Sequence, residues 1–194
     1  MRTLFLDFHG TICHDPFWRS LDSVSFRQVQ HSLFEANASF VDDWMRGKYT
    51  AEEINELVAK WTGLAFDHLW QAFVQDCESM HVDPEILAEI QSLQNRYRVV
   101  LITDNMDSFD RFTVPALGLD AVFDVIVNSF NEGVLKNDRD GITFTNQTKG
   151  KISKEDALVD DSTSCCKTFE DLGGTSFIVN DQNQTINHLK NLGA

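Results

Sequence analysis

Apolar positions fall into two rhythms along this chain. "RTLFLDF" at 2–8 is a short, mostly apolar run that leaves little room for a solvated face, and it predicts a buried strand. From 14 to about 80 the spacing becomes helical. Phe26, Val29 and Leu33 share one stripe, Ile54, Leu57, Val58 and Trp61 a second, and Leu69, Trp70, Phe73, Val74 and Cys77 a third. "TAEE" from Thr50 reads as a capping box, in which the Thr50 hydroxyl accepts from the Glu53 amide while the Glu53 carboxylate reaches back. "VDPEI" opens a further helix, with Asp83 as its cap and Pro84 in its first turn.

The strand rhythm returns at Tyr97. "YRVVLITDN" is a strand ending in polar residues, and "SFDRFTVPALGL" after it has helical spacing closed by Gly118. "VFDVIVNS", "DALVDD" and "TSFIVND" continue the series of short apolar runs. Strands alternating with helices predict an α/β fold whose mostly parallel sheet is covered on both faces. In such a fold the ligand site lies beyond the carboxyl ends of the strands. Asp7, Thr103 to Asn105, Asn128 with Ser129, and Asp160 with Asp161 are the polar ends that would face one cleft. Between 137 and 153, Gly141, Gly150 and the asparagines are poor helix formers. "GITFTN" there admits a strand or hairpin as readily as a crossover helix.

Composition narrows the function classes. The 194 residues are 42% hydrophobic, enough for one well-packed domain with an insertion. Sixteen Lys and Arg against 30 Asp and Glu give a net charge of -14, which repels nucleic acid polymers and membrane surfaces, and no basic run along the chain offsets it. The first residues are too briefly apolar for a signal peptide or a membrane span, so a cytoplasmic location is expected. The four cysteines form no C-x-x-C pair or framework and are expected reduced. His14, His31, His68, His81 and His188 have no ligand spacing. Trp61, Trp70 and Phe73 are assigned to packing within the helical stretch, and Trp18 with Arg19 to its hinge rather than to a substrate. Oligomeric state is not readable, because exposed apolar patches have no signature in sequence.

The strand ends carry the chemistry. Asp160 and Asp161, brought near Asp7, repel one another unless protonated or bridged by a cation, and Mg2+ suits carboxylates, a carbonyl and phosphate oxygens better than zinc does. A carboxylate held against a phosphoryl group can itself attack, and Asp7 fits that role. Lys136 in "GVLKND" is placed to balance charge, and Thr103 offers a hydroxyl to a phosphoryl oxygen. Lys149 and Lys151 compete with Lys136, because an extended 142–146 segment would carry either toward the cleft.

These residues support a resemblance. "LFLDFHGTI" resembles the first motif, D-x-D-G-T, of the haloacid dehalogenase-like (HAD) hydrolases, and "VLITDN" resembles their second. "GVLKND" and "ALVDDS", 24 positions apart from Lys136 to Asp160, are similar to their third and fourth. The resemblance implies a Rossmann-like core from 1–13 and 81–194, with a helical cap at 14–80 that closes over a small substrate. It implies Asp7 as nucleophile, Lys136 as charge balancer, and Thr103, Asp104 and Asn105 as the phosphate- and substrate-binding loop. It also implies Mg2+ held by Asp7, Asp161, the nearby Asp160 and the carbonyl of His9. His9 departs from the pattern, because the family's phosphatases have aspartic acid there to protonate the leaving oxygen and then activate water. Histidine, with a reference pKa near 6.5, is suited to both tasks but brings no negative charge to the metal. The function implied is magnesium-dependent hydrolysis of a small phosphorylated metabolite through an aspartyl-phosphate. The alternatives are a metal-independent 2-haloacid dehalogenase and a weakly active or silent binding domain. The family's dehalogenases carry a large aromatic residue at the His9 position but need no Asp pair, so "VDDS" argues against them.

Overall fold

The computed structural model describes residues 2–194. Its centre is a five-stranded parallel sheet in the order β3-β2-β1-β4-β5, made of β1 (Arg2–Leu6), β2 (Tyr97–Thr103), β3 (Val125–Asn128), β4 (Ala157–Asp160) and β5 (Thr175–Ile178). Leu4 pairs with Val99 on one side and with Ala157 on the other. Because β1 sits between β2 and β4, strand order reverses beside it, and the crevice at its carboxyl end is the switch point of the sheet.

Alternation along β1 divides the core. Phe5 is buried with Val100, Ile102, Phe144 and Phe169, and its ring meets Phe144 edge-on at 5.6 Å and Phe169 at 5.4 Å. Leu4 and Leu6 face the other way, into the larger core. Both faces are therefore buried, as unbroken apolar strands require.

After β1 and ahead of the helix that leads into β2 the chain inserts four helices: α1 (Ser23–Gln30), α2 (Ala38–Met45), α3 (Ala51–Thr62) and α4 (Phe66–Glu78). Asp22 caps α1 by accepting from the Val24 and Ser25 amides, and α1 continues into a π-helical turn, His31–Glu35. The capping box at Thr50 forms in both directions. Phe73 is the hub of the insertion, with ring centroids 4.6 Å from Trp18, 5.8 Å from Trp44 and 6.1 Å from Trp70. Arg19 donates to the carbonyls of Asp76 and Ser79 at 2.9 and 2.7 Å, and the Ser20 amide donates to Asp76 Oδ2. Trp18 and Arg19 thus clasp the start of the insertion to its end.

The remaining helices are α5 (Pro84–Leu93), α6 (Val114–Leu117), α7 (Ser129–Glu132), α8 (Ile142–Gln147), α9 (Thr163–Asp171) and α10 (Gln182–Gly193). Asp83 caps α5 as predicted. The helical stretch after β2 contains a π-helical turn at Phe109–Thr113 and ends at Gly118. The open segment 137–153 becomes a 3-10 turn, Asp138–Asp140, followed by α8. Packing decides this outcome against weak local propensity, because α8 carries Phe144 onto Phe5 and Phe169. All four cysteines are buried and free. Among the described residues no helix is long and apolar enough to cross a membrane.

Folding corrects one expectation about charge. Arg2, Arg96, Arg98, Lys149 and Lys151 line one cleft, a local basic patch assembled from distant positions. Arg2 opens β1 and Tyr97 opens β2, so this cleft lies at the amino ends of the strands. Lys149 and Lys151 are therefore at the opposite end of the sheet from Asp7.

Candidate active site

β1 hands the chain to the site without a break. The Asp7 amide still donates to Val159 O of β4 at 3.1 Å, so the Asp7 side chain is fixed at the switch point and buried. The chain then turns sharply, with the Ile12 and Cys13 amides both donating to Phe8 O at 3.0 Å. Gly10 has φ +87°, and a Cβ there would lie 2.3 Å from Asp161 Oδ2. Glycine is needed for the backbone angle and because the turn presses against that carboxylate. Thr11 closes the arrangement, since its hydroxyl accepts from the Asp161 amide at 3.1 Å and its carbonyl accepts from Thr185 Oγ1 at 2.8 Å. Thr11 was not singled out from the sequence. Its place directly after Gly10 in "HGTI" was the available signal.

Lys136 joins the strand ends. Its Nζ lies 2.8 Å from Asp7 Oδ1 and 2.7 Å from Asp160 Oδ2, and its backbone amide donates to Asp104 Oδ1 at 2.8 Å. The other oxygen of Asp160 accepts from the Ser162 amide at 2.8 Å. Thr103 and Asn105 are buried beside this group. The Asn105 side chain reaches the Thr103 hydroxyl at 3.5 Å, while its amide N–H donates to Ser129 Oγ at 3.0 Å. Asn128 and Ser129 brace the loops rather than face a ligand. Asn128 donates to Met106 O and Asp110, and Ser129 donates to Met45 O at the end of α2.

The electrostatics call for a cation. Burial pushes the Asp7 carboxyl up, against the pull of Lys136. Burial likewise raises Asp160 to about 6 and raises Asp161, where the neighbouring Asp160 adds to the effect. Burial opposes the charge of Lys136, yet Asp7, Asp160 and Asp104 outweigh it and hold the ammonium charged. One ammonium faces three clustered carboxylates, and their mutual repulsion is relieved by protonation or by a bound cation. Oxygens of Asp7, Asp160 and Asp161 all lie within 4.8 Å of one another. An all-oxygen group of this kind suits Mg2+, which binds such ligands at about 2.0–2.1 Å. Asp7, Asp160 and Asp161 are therefore the side chains able to hold the ion, and the turn at residues 9–10 brings backbone against Asp161.

The His9 ring points to different chemistry. It stacks on Phe17 with centroids 5.5 Å apart and planes 10° from parallel, and its Nδ1 is buried with no hydrogen-bond partner. Burial, reinforced by nearby His14, lowers its pKa. Both effects favour the neutral imidazole relative to a free histidine. A cavity of about 290 Å3 opens beside it, bounded by Phe17, Phe34, Val41 and Met45 from the insertion and by Asp104 from the loop after β2.

No protein-family model matches this chain, and no curated protein matches its sequence. Solved structures do match its fold. A predicted HAD-like family hydrolase from Porphyromonas gingivalis superposes with a TM-score of 0.73 at 20% identity, covering 99% of this chain and 97% of that one. A HAD family enzyme from Bacteroides thetaiotaomicron, solved as a magnesium complex, gives 0.72 at 16% identity over 93% of each chain. An L-2-haloacid dehalogenase from Xanthobacter autotrophicus, with chloropropionic acid covalently bound, gives 0.64 at 14% identity over 92% of this chain and 77% of that one. The Rossmann-like parallel core with its added helical segments matches the HAD fold architecture.

Proposed function

We propose that this chain is a magnesium-dependent phosphomonoester hydrolase that forms an aspartyl-phosphate on Asp7. The observation that carries the reading is the cluster of Asp7, Asp160 and Asp161 around the single ammonium of Lys136 at the switch point of the sheet. In this reading residues 14–80 act as a cap over the core formed by 1–13 and 81–194, and the substrate is a small phosphorylated metabolite.

Asp7 attacks phosphorus, the bond to the ester oxygen breaks, and the protonated His9 imidazole gives its proton to the leaving oxygen, which departs as the alcohol and leaves His9 neutral. Mg2+ held by Asp7, Asp160, Asp161 and the His9 carbonyl would supply positive charge to the phosphoryl oxygens. Lys136 pulls against the burial that raises the Asp7 pKa and orients its carboxylate, and the Thr103 hydroxyl with the loop at Asp104 and Asn105 positions the phosphoryl group. Water then opens the aspartyl-phosphate, and His9, at the edge of the cavity, takes its proton. The insertion excludes bulk water while this happens.

A metal-independent 2-haloacid dehalogenase is the second reading, favoured by the aromatic ring at position 9 and by the fold shared with such enzymes. It requires a place for the substrate carboxylate, and no lysine or arginine lines the cavity. The test is release of inorganic phosphate from an aryl phosphate. It should stop with chelator and return with added Mg2+. Chloride released from a 2-haloacid in the presence of chelator would select the dehalogenase instead, and neither product under any condition would select a silent binding domain.

A further inference from the structure

We propose that this site takes phosphate esters of small, uncharged, largely apolar alcohols and discriminates against esters bearing a second anionic group. The inference rests on the hydrolase reading and adds the substrate class.

The cavity of about 290 Å3 has room for roughly ten water-sized groups at about 30 Å3 each. Its walls are apolar where the alcohol part of a substrate would lie, with Phe17, Phe34, Val41 and Met45 on the insertion side. Met45 has a flexible thioether that follows an irregular ligand. Charge is what the wall lacks. Among the lining residues there is no lysine or arginine, and Asp104 is the one formal charge. The cations nearby are engaged elsewhere. Lys136 is held by Asp7 and Asp160, and Arg46, next to Met45, makes two 3.0 Å hydrogen bonds to Asp138. Arg19 is committed to the carbonyls of Asp76 and Ser79. A carboxylate or second phosphate lying against this apolar wall would find no counter-charge on it and would face Asp104. A buried charge without a partner is strongly disfavoured.

One polar group is placed to orient an uncharged ligand. Gln30 donates from Nε2 to Phe17 O at 3.1 Å, which leaves its Oε1 to accept from a hydroxyl or N–H. The cavity therefore reads a neutral polar group on an otherwise apolar body.

The test uses matched esters, para-methylbenzyl phosphate and para-carboxybenzyl phosphate, with the full chain and Mg2+. The neutral ester is expected to have a kcat/KM at least about tenfold higher, the scale set by stranding an unpaired charge. Hydrolysis of both esters at equal rates, or faster hydrolysis of the carboxylated one, overturns the substrate class and leaves the hydrolase reading standing. Binding of the corresponding non-hydrolysable phosphonates, measured by calorimetry, decides the inference without turnover. A neutral analogue bound about tenfold more tightly upholds it, and equal affinities, or no binding of either analogue, overturn it. Val41→Lys, at a half-buried helical position, should shift the binding ratio toward the carboxylated analogue by about tenfold. An unchanged ratio in this folded variant would remove the cavity from substrate recognition.

Discussion

Lys136 Nζ stands 2.8 Å from Asp7 Oδ1, and the same ammonium lies 2.7 Å from Asp160 Oδ2, so one buried cation ties the ends of β1 and β4 together. Removing one member of a buried ion pair leaves an uncompensated charge, which costs about 3–5 kcal/mol. Lys136→Met is therefore expected to lower stability on that scale and to abolish phosphate release. Adding Asp160→Asn to that variant should recover part of the stability but none of the activity. Chemical denaturation and a phosphate assay test both statements, and an active, fully stable Lys136→Met would remove Lys136 from the site.

Asp7→Asn keeps the side-chain shape while removing the attacking charge. The variant should retain its circular dichroism spectrum and lose turnover. Retention of full activity would end the assignment of Asp7 as nucleophile.

Gly10→Ala tests the turn itself. The substitution puts a Cβ at φ +87° and 2.3 Å from Asp161 Oδ2, so either the turn or the carboxylate must move. A lower Tm is expected, together with a weaker stabilisation of the fold by added Mg2+, because a ligand that binds only the native state raises Tm in proportion to its affinity. A variant with the parent's magnesium response would mean that Asp161 is not held by this turn for metal binding.

Features governed by neighbouring residues were legible in the sequence, and features governed by distant ones were not. The Thr50 and Asp83 caps, the apolar strands and their polar ends all follow from local spacing, and each forms where it was expected. Helix α8 has no local signature, because its reason for folding is Phe144 meeting Phe5, nearly 140 residues away in the chain. The basic cleft has no local signature for the same reason, since Arg2, Arg98 and Lys149 come from three separate segments. Within the site, Asp104 carried no sign that it would hold the Lys136 amide, and nothing in "DFHGT" announces that Phe17 would stack on His9.

Glu52 gives a pH-dependent test of how the insertion is fastened to the core. Arg111, from the π-helical turn after β2, donates to Glu52 Oε2 at 2.9 Å and also bonds Oε1 and Asp107. Hydrogen bonding to Arg111 lowers the Glu52 pKa, although burial opposes it. A carboxyl whose folded pKa is depressed adds stability that is fully present above its unfolded pKa and is lost as pH falls through the folded value. Glu52→Gln should therefore have a lower Tm than the parent near neutrality, and the difference should shrink as the pH falls below the ordinary carboxylate range. A Tm difference independent of pH would show that the ion pair is not its source.

His9 distinguishes a working proton carrier from a residue that only packs. Its ring lies flat against Phe17, its Nδ1 is unpartnered, and it borders the cavity where an ester oxygen would lie. If it moves protons in the reaction, His9→Ala should cost about 10² to 10⁴-fold on an alkyl phosphate, and less on an aryl phosphate whose leaving oxygen needs little help. Equal losses on both ester types would point to packing alone. His9→Asp restores the residue seen in the motif that "DFHGT" resembles, and it sets two effects against each other. An added carboxylate supplies negative charge for Mg2+, but it replaces an aromatic ring stacked on Phe17 and stands near carboxylates that already repel one another. Because burial has already raised the neighbouring Asp7, a further anion beside it would be protonated or would require the metal more strongly. The expected result is a modest change in turnover accompanied by a steeper dependence on Mg2+ concentration. Magnesium titrations of the parent and of His9→Asp on one aryl phosphate check this, and superimposable titration curves would show that the side chain at position 9 has no part in the metal's environment.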